Sequence, residues 1–325
     1  MTLSLAAGIA YGGYWAVGSA AVESSVNSAL ERMRASGQAD YSEVSLAGFP
    51  SRFDLTISDP ALRTSDGIAE WRAPFLQLLA LSYRPNHLIV VWPHEQDVTI
   101  GPETISVTSE DMRANLDIEA GVALALDRTI FVSKAVGLAS KAGWRLDLDE
   151  ARFATQRASE DGLSHRAGIE ILRATPSPDL RALIDPEGAL PPTADWAKLD
   201  AVIGFDRPID RFVTEAGGPR LTDIQVKEIS FGWGELRLDG EGEVLVDADG
   251  VPEGRITFRA REWRKMVQLA VAAGALRAEI APTIENGLER LAIAGGSEEV
   301  LALPLVFANG RMSLGPLPLG PAPRF

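Results

Sequence analysis

The stretch Leu221–Arg261, LTDIQVKEISFGWGELRLDGEGEVLVDADGVPEGRITFRAR, decides how this chain is read. Ile224, Val226, Ile229 and Phe231 form one run of spaced apolar residues. Leu236, Leu238, Val244 and Val246 form a second, longer run, and Ile256 and Phe258 a third. Gly232-Trp233-Gly234 and Asp247-Ala248-Asp249-Gly250 stand between them as turns. Apolar residues at a period near two, separated by Gly and Asp turns, predict three antiparallel strands in a meander.

The same texture extends toward the N-terminus. Phe53, Leu55 and Ile57 alternate with polar partners, as do Ile105 and Val107, Leu116 and Ile118, Leu146 and Leu148, and Ile169 and Ile171. Val122, Leu124 and Leu126 alternate with alanines and predict another strand. Leu88–Trp92 is continuously apolar and reads as a strand covered on both faces. Toward the C-terminus, Asn309-Gly310 is a hairpin turn signal between strands near 301–307 and 311–314.

Helices are few. Ser177 caps a short one beginning at Pro178. Trp263, Met266, Val267, Ala270 and Val271 make one amphipathic stripe, and Ile280, Ile284, Leu288 and Leu291 a second. Together they predict a helical hairpin over about residues 262–294.

Composition bounds the chemistry. The chain has 325 residues, 46% hydrophobic and 23% charged, enough for a folded core. It has no cysteine, which removes disulfides, thiol catalysis and cysteine metal sites. The histidines are three: His87, His94 and His165. The net charge of −14 argues against nucleic acid, which calls for a basic footprint.

Residues 1–22 carry no charged side chain. Leu3–Val22 is twenty residues, about 30 Å as a helix and so a hydrocarbon core's thickness. Tyr11, Tyr14 and Trp15 suit a membrane interface. The leading reading is an uncleaved signal-anchor. A signal peptide cut after Ala21 and a buried core helix are the alternatives. Arg32 and Arg34 follow the run and no basic residue precedes it, so a literal positive-inside count opposes a periplasmic body. The periplasmic reading therefore expects basic residues upstream of the given start. Gly8-x-x-x-Gly12 fits a helix-dimer pattern, but in a segment this rich in small residues chance is the better explanation. Val22, Val26, Leu30 and Met33 extend one helix to about Ala35, ended by Gly37.

Several stretches carry a resemblance. They are Tyr41-x-x-Val44 with Gly48-Phe49-Pro50-Ser51-Arg52-Phe53-Asp54-Leu55, Pro85–Pro93, Gly143-Trp144-Arg145-Leu146, and the closing Gly310–Gly320. Over nearly the whole chain the sequence resembles the DUF2125 proteins, an uncharacterised envelope family. The resemblance implies a Gram-negative protein held by an N-terminal anchor, with its bulk in the periplasm and no known activity. More remotely it is similar to AsmA-like proteins, whose long curved sheets carry lipid in an apolar groove.

The local motifs read more simply as structure. Gly48-Phe49-Pro50 is a turn, with Phe49 and Phe53 expected to pack on the sheet. Asp247-x-Asp249-Gly250 lacks the remaining oxygens of a calcium loop and reads as a hairpin turn. Gly240-Glu241-Gly242 lacks the third glycine and helix of a dinucleotide site. Ser164-His165 reads as a solvated pair. His87 and His94 lie too far apart along a strand to share a metal. Glu110-Asp111 and Glu298-Glu299 read as solvated loop acids. There is no nucleophile elbow and no P-loop.

The expected fold is mainly β (α+β). It has a transmembrane helix, then a curved, mostly antiparallel sheet with a C-terminal helical hairpin. The expected division is 1–36 as anchor and juxtamembrane helix and 37–325 as a β-rich periplasmic domain. The expected protein is single-pass in the inner membrane and is no enzyme. No catalytic, cofactor or metal residue is assigned. Its expected work is lipid binding or transfer in envelope maintenance, with phospholipid or another envelope protein as partner. The alternative is a non-catalytic envelope scaffold.

Overall fold

The computed structural model describes the backbone of residues 2–212 and 218–325, and the side chains of 12–212 and 218–325. Strands hold 52% of the chain, and every described strand pairing is antiparallel. The chain divides into two compact units, 1–120 with 128–143 and 121–127 with 144–325.

The first unit opens with helix α1 (Thr2–Ala35), β1 (Ala39–Asp40), β2 (Glu43–Ala47), β3 (Arg52–Ser58) and β4 (Ala61–Arg63). It continues with β5 (Ala69–Arg72), β6 (Phe75–Leu81), β7 (Arg84–Val91), β8 (Glu95–Ile100), β9 (Glu103–Thr108), β10 (Asp111–Ile118) and most of β11 (Leu126–Ser140). Gly37 ends α1 as expected: at φ +75° it lets Gln38 N–H reach Met33 O at 2.8 Å.

The strands form two ladders, β2–β3–β6–β7–β10 and β1–β4–β5–β8–β9–β11. A line of breaks separates them. Pro60, Pro74 and Pro93 stand at the breaks of three neighbouring strands, and Asp59 has φ +49°. Proline gives no N–H to a ladder, so each long strand is interrupted at the same height. Bonds across the line persist, as from Asp59 N–H to Pro74 O at 2.9 Å and Ala73 N–H to Pro60 O at 3.1 Å. Each pair of half-strands is thus one long, broken strand of a meander.

Phe53, Leu55 and Ile57 alternate inward on β3, as their spacing predicts. Leu55, Ile57 and Leu30 are buried, with Val22, Val26, Val44 and Leu78 packed around them. Helix α1 therefore lies on the sheet. Among the described residues no helix is long and apolar enough to cross a membrane. The side chains of Met1–Tyr11 lie outside the described residues, and with them the first half of the expected anchor and the Gly8-x-x-x-Gly12 pattern. The second half, expected in hydrocarbon, touches protein. Trp15 donates its indole N–H to Arg52 O at 2.8 Å, and a Cβ on Gly18 would stand 2.9 Å from the Phe53 ring.

Two other expectations give way here. Leu88–Trp92 is half-exposed rather than covered on both faces, with Ile89 open to solvent. Val122 and Leu124 lie in a loop, where Leu124 has φ +51°, and the strand begins only at Leu126. Alternation in so short a run is compatible with a loop whose apolar side chains stay exposed.

The second unit holds β12 (Arg145–Arg157), β13 (Ser164–Pro176), α2 (Pro178–Ala182), β14 (Ala194–Phe205), β15 (Leu221–Trp233), β16 (Leu236–Val246) and β17 (Pro252–Arg261). Then follow α3 (Trp263–Ala272), α4 (Ala281–Ala294), β18 (Val300–Ala308), β19 (Arg311–Leu314) and β20 (Leu317–Pro321). Each strand pairs with the next, and the Leu221–Arg261 meander stands as its spacing predicts. A register shift between Asp200 and Ala201 bends the β14–β15 pair. The helical hairpin lies within its expected bounds, and its stripe buries Trp263, Leu288 and Ala292 on Ala260 and Leu301. Ser177 caps α2 through Leu180 N–H, and Asn309 and Gly310 both take positive φ in the hairpin turn.

Candidate apolar binding face

Residues directly paired on neighbouring strands share a face of the sheet. In the second unit this rule assembles one wide apolar face. Its first row is Ala151, Ile171, Ala197, Phe231, Leu238, Ala260 and Leu301. The second is Phe153, Ile169, Leu199, Ile229, Gly240, Phe258 and Leu303. A third runs through Ala167, Ala201, Val226, Gly242, Ile256 and Leu305.

The rows are not equally covered. Helices α3 and α4 close the first row from Phe231 onward, through Met266, Leu269, Trp263 and Leu288. In the third row Ala167, Ala201 and Val226 are buried. In the second row Gly240 is buried against the Phe258 ring and Leu303 packs on the hairpin's cluster, while Phe153 is 38% exposed, Ile169 is 40% exposed and Leu199, Ile229 and Phe258 are partly open. From Phe153 to Phe258 six strands at 4.7–4.9 Å spacing make this open row about 24 Å long. That is long enough for an extended acyl chain.

The glycines keep the row low. A Cβ on Gly240 would meet the Phe258 ring at 2.9 Å, and one on Gly242 would stand 2.1 Å from Arg255 O. Gly240-Glu241-Gly242 is thus a close-packing device between strands β16 and β17.

The opposite face is charged and internally paired. Arg152 bonds Glu150 at 2.7 Å and Glu170 at 3.3 Å, and Lys198 bonds Glu170 at 2.8 Å. Arg166 holds Asp200, and Arg259 holds Glu241 at 2.9 Å. The Lys198 ammonium keeps the Glu170 carboxyl below its usual range, and the Arg166 guanidinium does the same for Asp200. These are solvated surface ladders, which orient the sheet rather than stabilise it strongly.

The remaining candidates fall into place singly. Asp247 accepts N–H bonds from Asp249 and Val251, both at 2.9 Å, so its carboxylate serves the turn. His87 Nδ1 lies 2.5 Å from an Asp117 oxygen, and His94 Nδ1 lies 2.9 Å from Ser109 O. Arg128 first, then His87, holds the Asp117 carboxyl below its usual range. Asp111 pairs with Arg113, and Glu298 O receives the Trp263 indole N–H at 3.0 Å. Among the described residues no three His, Cys, Asp or Glu side chains gather to hold a metal.

Two expectations are corrected. His165 is not solvated: it is 2% exposed, with Thr155 Oγ1 at 3.3 Å from its Nδ1 and the Phe205 ring beside it. Ser164 is only half-buried. Phe49 does not pack on the sheet with buried Phe53. It stays largely exposed, with its ring edge-on to Trp15 at 5.2 Å. The Gly48 turn itself is as expected, closed by Arg52 N–H to Gly48 O at 2.9 Å.

The first unit offers a cleft of different character. About 760 Å³ in volume, it follows the line of strand breaks past Asp40, Asp59, Arg63, Arg72 and Asp97. It is polar, which suits water and ions better than acyl chains.

A family model described as an uncharacterized protein conserved in bacteria, DUF2125, matches residues 15–323. The chain belongs to the DUF2125 family. Neither a curated protein nor a solved structure matches it. The match begins at Trp15, the residue at which α1 meets the Phe49 turn. The second row lies on the registers of β12–β18, and sequence spacing alone does not place those seven residues side by side.

Proposed function

We propose that this DUF2125 protein is a single-pass, inner-membrane-anchored periplasmic protein. Its second unit holds lipid acyl chains along the open row Phe153, Ile169, Leu199, Ile229 and Phe258. In this reading the work is binding or passing lipid in envelope maintenance, without catalysis. One observation carries it: the helical hairpin covers only part of the apolar face and leaves Phe153, Ile169, Leu199, Ile229 and Phe258 partly open. Apolar surface left in water costs about 25 cal/mol per Å². Aligned partly open apolar side chains therefore favour an apolar guest. The charge-free residues 1–14, ahead of the part of α1 that lies on the first unit, support the tether and supply about 20 Å of helix toward a hydrocarbon core of about 30 Å.

Photo-cross-linking tests it. The full chain in detergent is irradiated with a phospholipid carrying a diazirine in its acyl chain, and the adducts are mapped by mass spectrometry. Adducts should fall on the second row, and Leu199→Arg should remove them while circular dichroism stays unchanged. Adducts confined to α1, or unaffected by Leu199→Arg, overturn the lipid row. A co-purifying protein that shields the row from the probe would give the place to the scaffold reading.

A further inference from the structure

Two loop tips of the first unit meet α1 at one height. The Phe49 ring stands edge-on to Trp15, and a Cβ on Gly12 would lie 3.9 Å from that same ring. The Tyr14 hydroxyl donates to Ser82 O at 2.7 Å, and Ser82 N–H donates to Ser51 O at 2.9 Å. The two turns, 48–52 and 81–84, are thereby tied to each other and to the helix. Their apolar groups nonetheless point outward. Phe49 is 64% exposed and Tyr83 61%, with Leu81 and Tyr14 also open.

Three facts single out what covers this collar. Helix α1 leads from it into a stretch without charged side chains. The chain has 45 acidic residues, yet none falls in 1–22 or in the turns 48–52 and 81–84; the acids beside them are paired, Asp54 with Arg52 at 3.0 Å and Asp117 with His87 and Arg128. Arg84 is exposed at one tip, and Arg52, exposed at the other, is paired with Asp54. Aromatic rings beside an exposed cation, on turns without acids in an acidic protein, complement an anionic bilayer surface.

We propose that Tyr14, Trp15, Phe49, Leu81 and Tyr83 form a collar seated in the headgroup layer of the membrane, with Arg84 facing lipid phosphates. The membrane surface then meets α1 near Tyr14–Trp15, rather than at Val22 as the apolar run alone implies. The inference rests on the tether of the preceding section, not on its lipid row.

The absence of cysteine makes the test direct. Phe49→Cys, Tyr83→Cys, Ile68→Cys and Leu5→Cys are each labelled with an environment-sensitive fluorophore. Each full chain is reconstituted in vesicles of phosphatidylethanolamine and phosphatidylglycerol containing nitroxide lipids. Ile68 is exposed in the turn at the far end of the long strands that start from the collar. Labels at 49 and 83 should lose most of their fluorescence to shallow nitroxides, and the label at 68 should lose little. If the label at 5 is quenched while those at 49 and 83 behave like 68, the tether stands and the collar is wrong. If none is quenched, tether and collar fall together. Two independent collar positions, each checked by circular dichroism, separate misfolding of one variant from failure of the idea.

Discussion

His165 shows what a single residue hides from a sequence reader. A histidine at the head of a strand ordinarily sits in solvent, and nothing local marks this one otherwise. Only the register, which sets it beside Ile203, and the Phe205 ring bury it. Burial first, then the Arg157 charge, pushes its pKa below the ordinary 6.5. In the unfolded chain the imidazole titrates near the ordinary value, so just below it the unfolded state binds more protons than the folded one. The stability due to neutral His165 is therefore present above about pH 6.5 and declines as pH falls through the window beneath it. His165→Phe should flatten the fall of the urea midpoint between about pH 7 and pH 5 relative to the parent. Equal slopes in both proteins would show that the imidazole is not desolvated. Phe49 is a residue of the same kind: its turn was legible in Gly48 and Pro50, but its partner Trp15 is thirty-four positions away.

Among the elements, strands with clean alternation were legible, and so were the helical hairpin and the Asn309-Gly310 turn. Each rests on local chemistry: spacing, capping and positive φ. The breaks at Pro60, Pro74 and Pro93 went unread in the sequence, because only the ladders show that they align. Helix α1 was the ambiguous element, because an apolar run reads the same against lipid as against a sheet. The structure places Trp15, Gly18 and Val22 on protein. Trp15→Ala should thus lower the stability of the first unit, by about 1–3 kcal/mol for a partly buried ring that also gives up a hydrogen bond. Urea unfolding in detergent, followed by tryptophan fluorescence, measures this. A variant as stable as the parent would show that the helix lies beside the sheet without being held to it.

On the scale of the molecule, the period-two texture fixed a mainly antiparallel β chain and left its grouping unmarked, because meander strands look alike from one end to the other. The grouping emerges from which residues bury together. Leu30, Leu55 and Ile57 gather in the first unit, and Trp263, Leu288, Ala292 and Leu301 in the second. Two separate clusters predict two unfolding transitions, since two-state behaviour commonly fails once a chain carries more than one core. Leu55 and Leu288 are both buried, so each change to alanine should cost about 2–5 kcal/mol. Leu55→Ala should shift one calorimetric transition and leave the other in place, and Leu288→Ala should do the reverse. One transition moved equally by both substitutions would mean that the units unfold as a single cooperative body. The lipid row would then be stabilised by the whole chain, and changes around α1 would alter its occupancy. Independent transitions would confine such effects to the unit that carries the row.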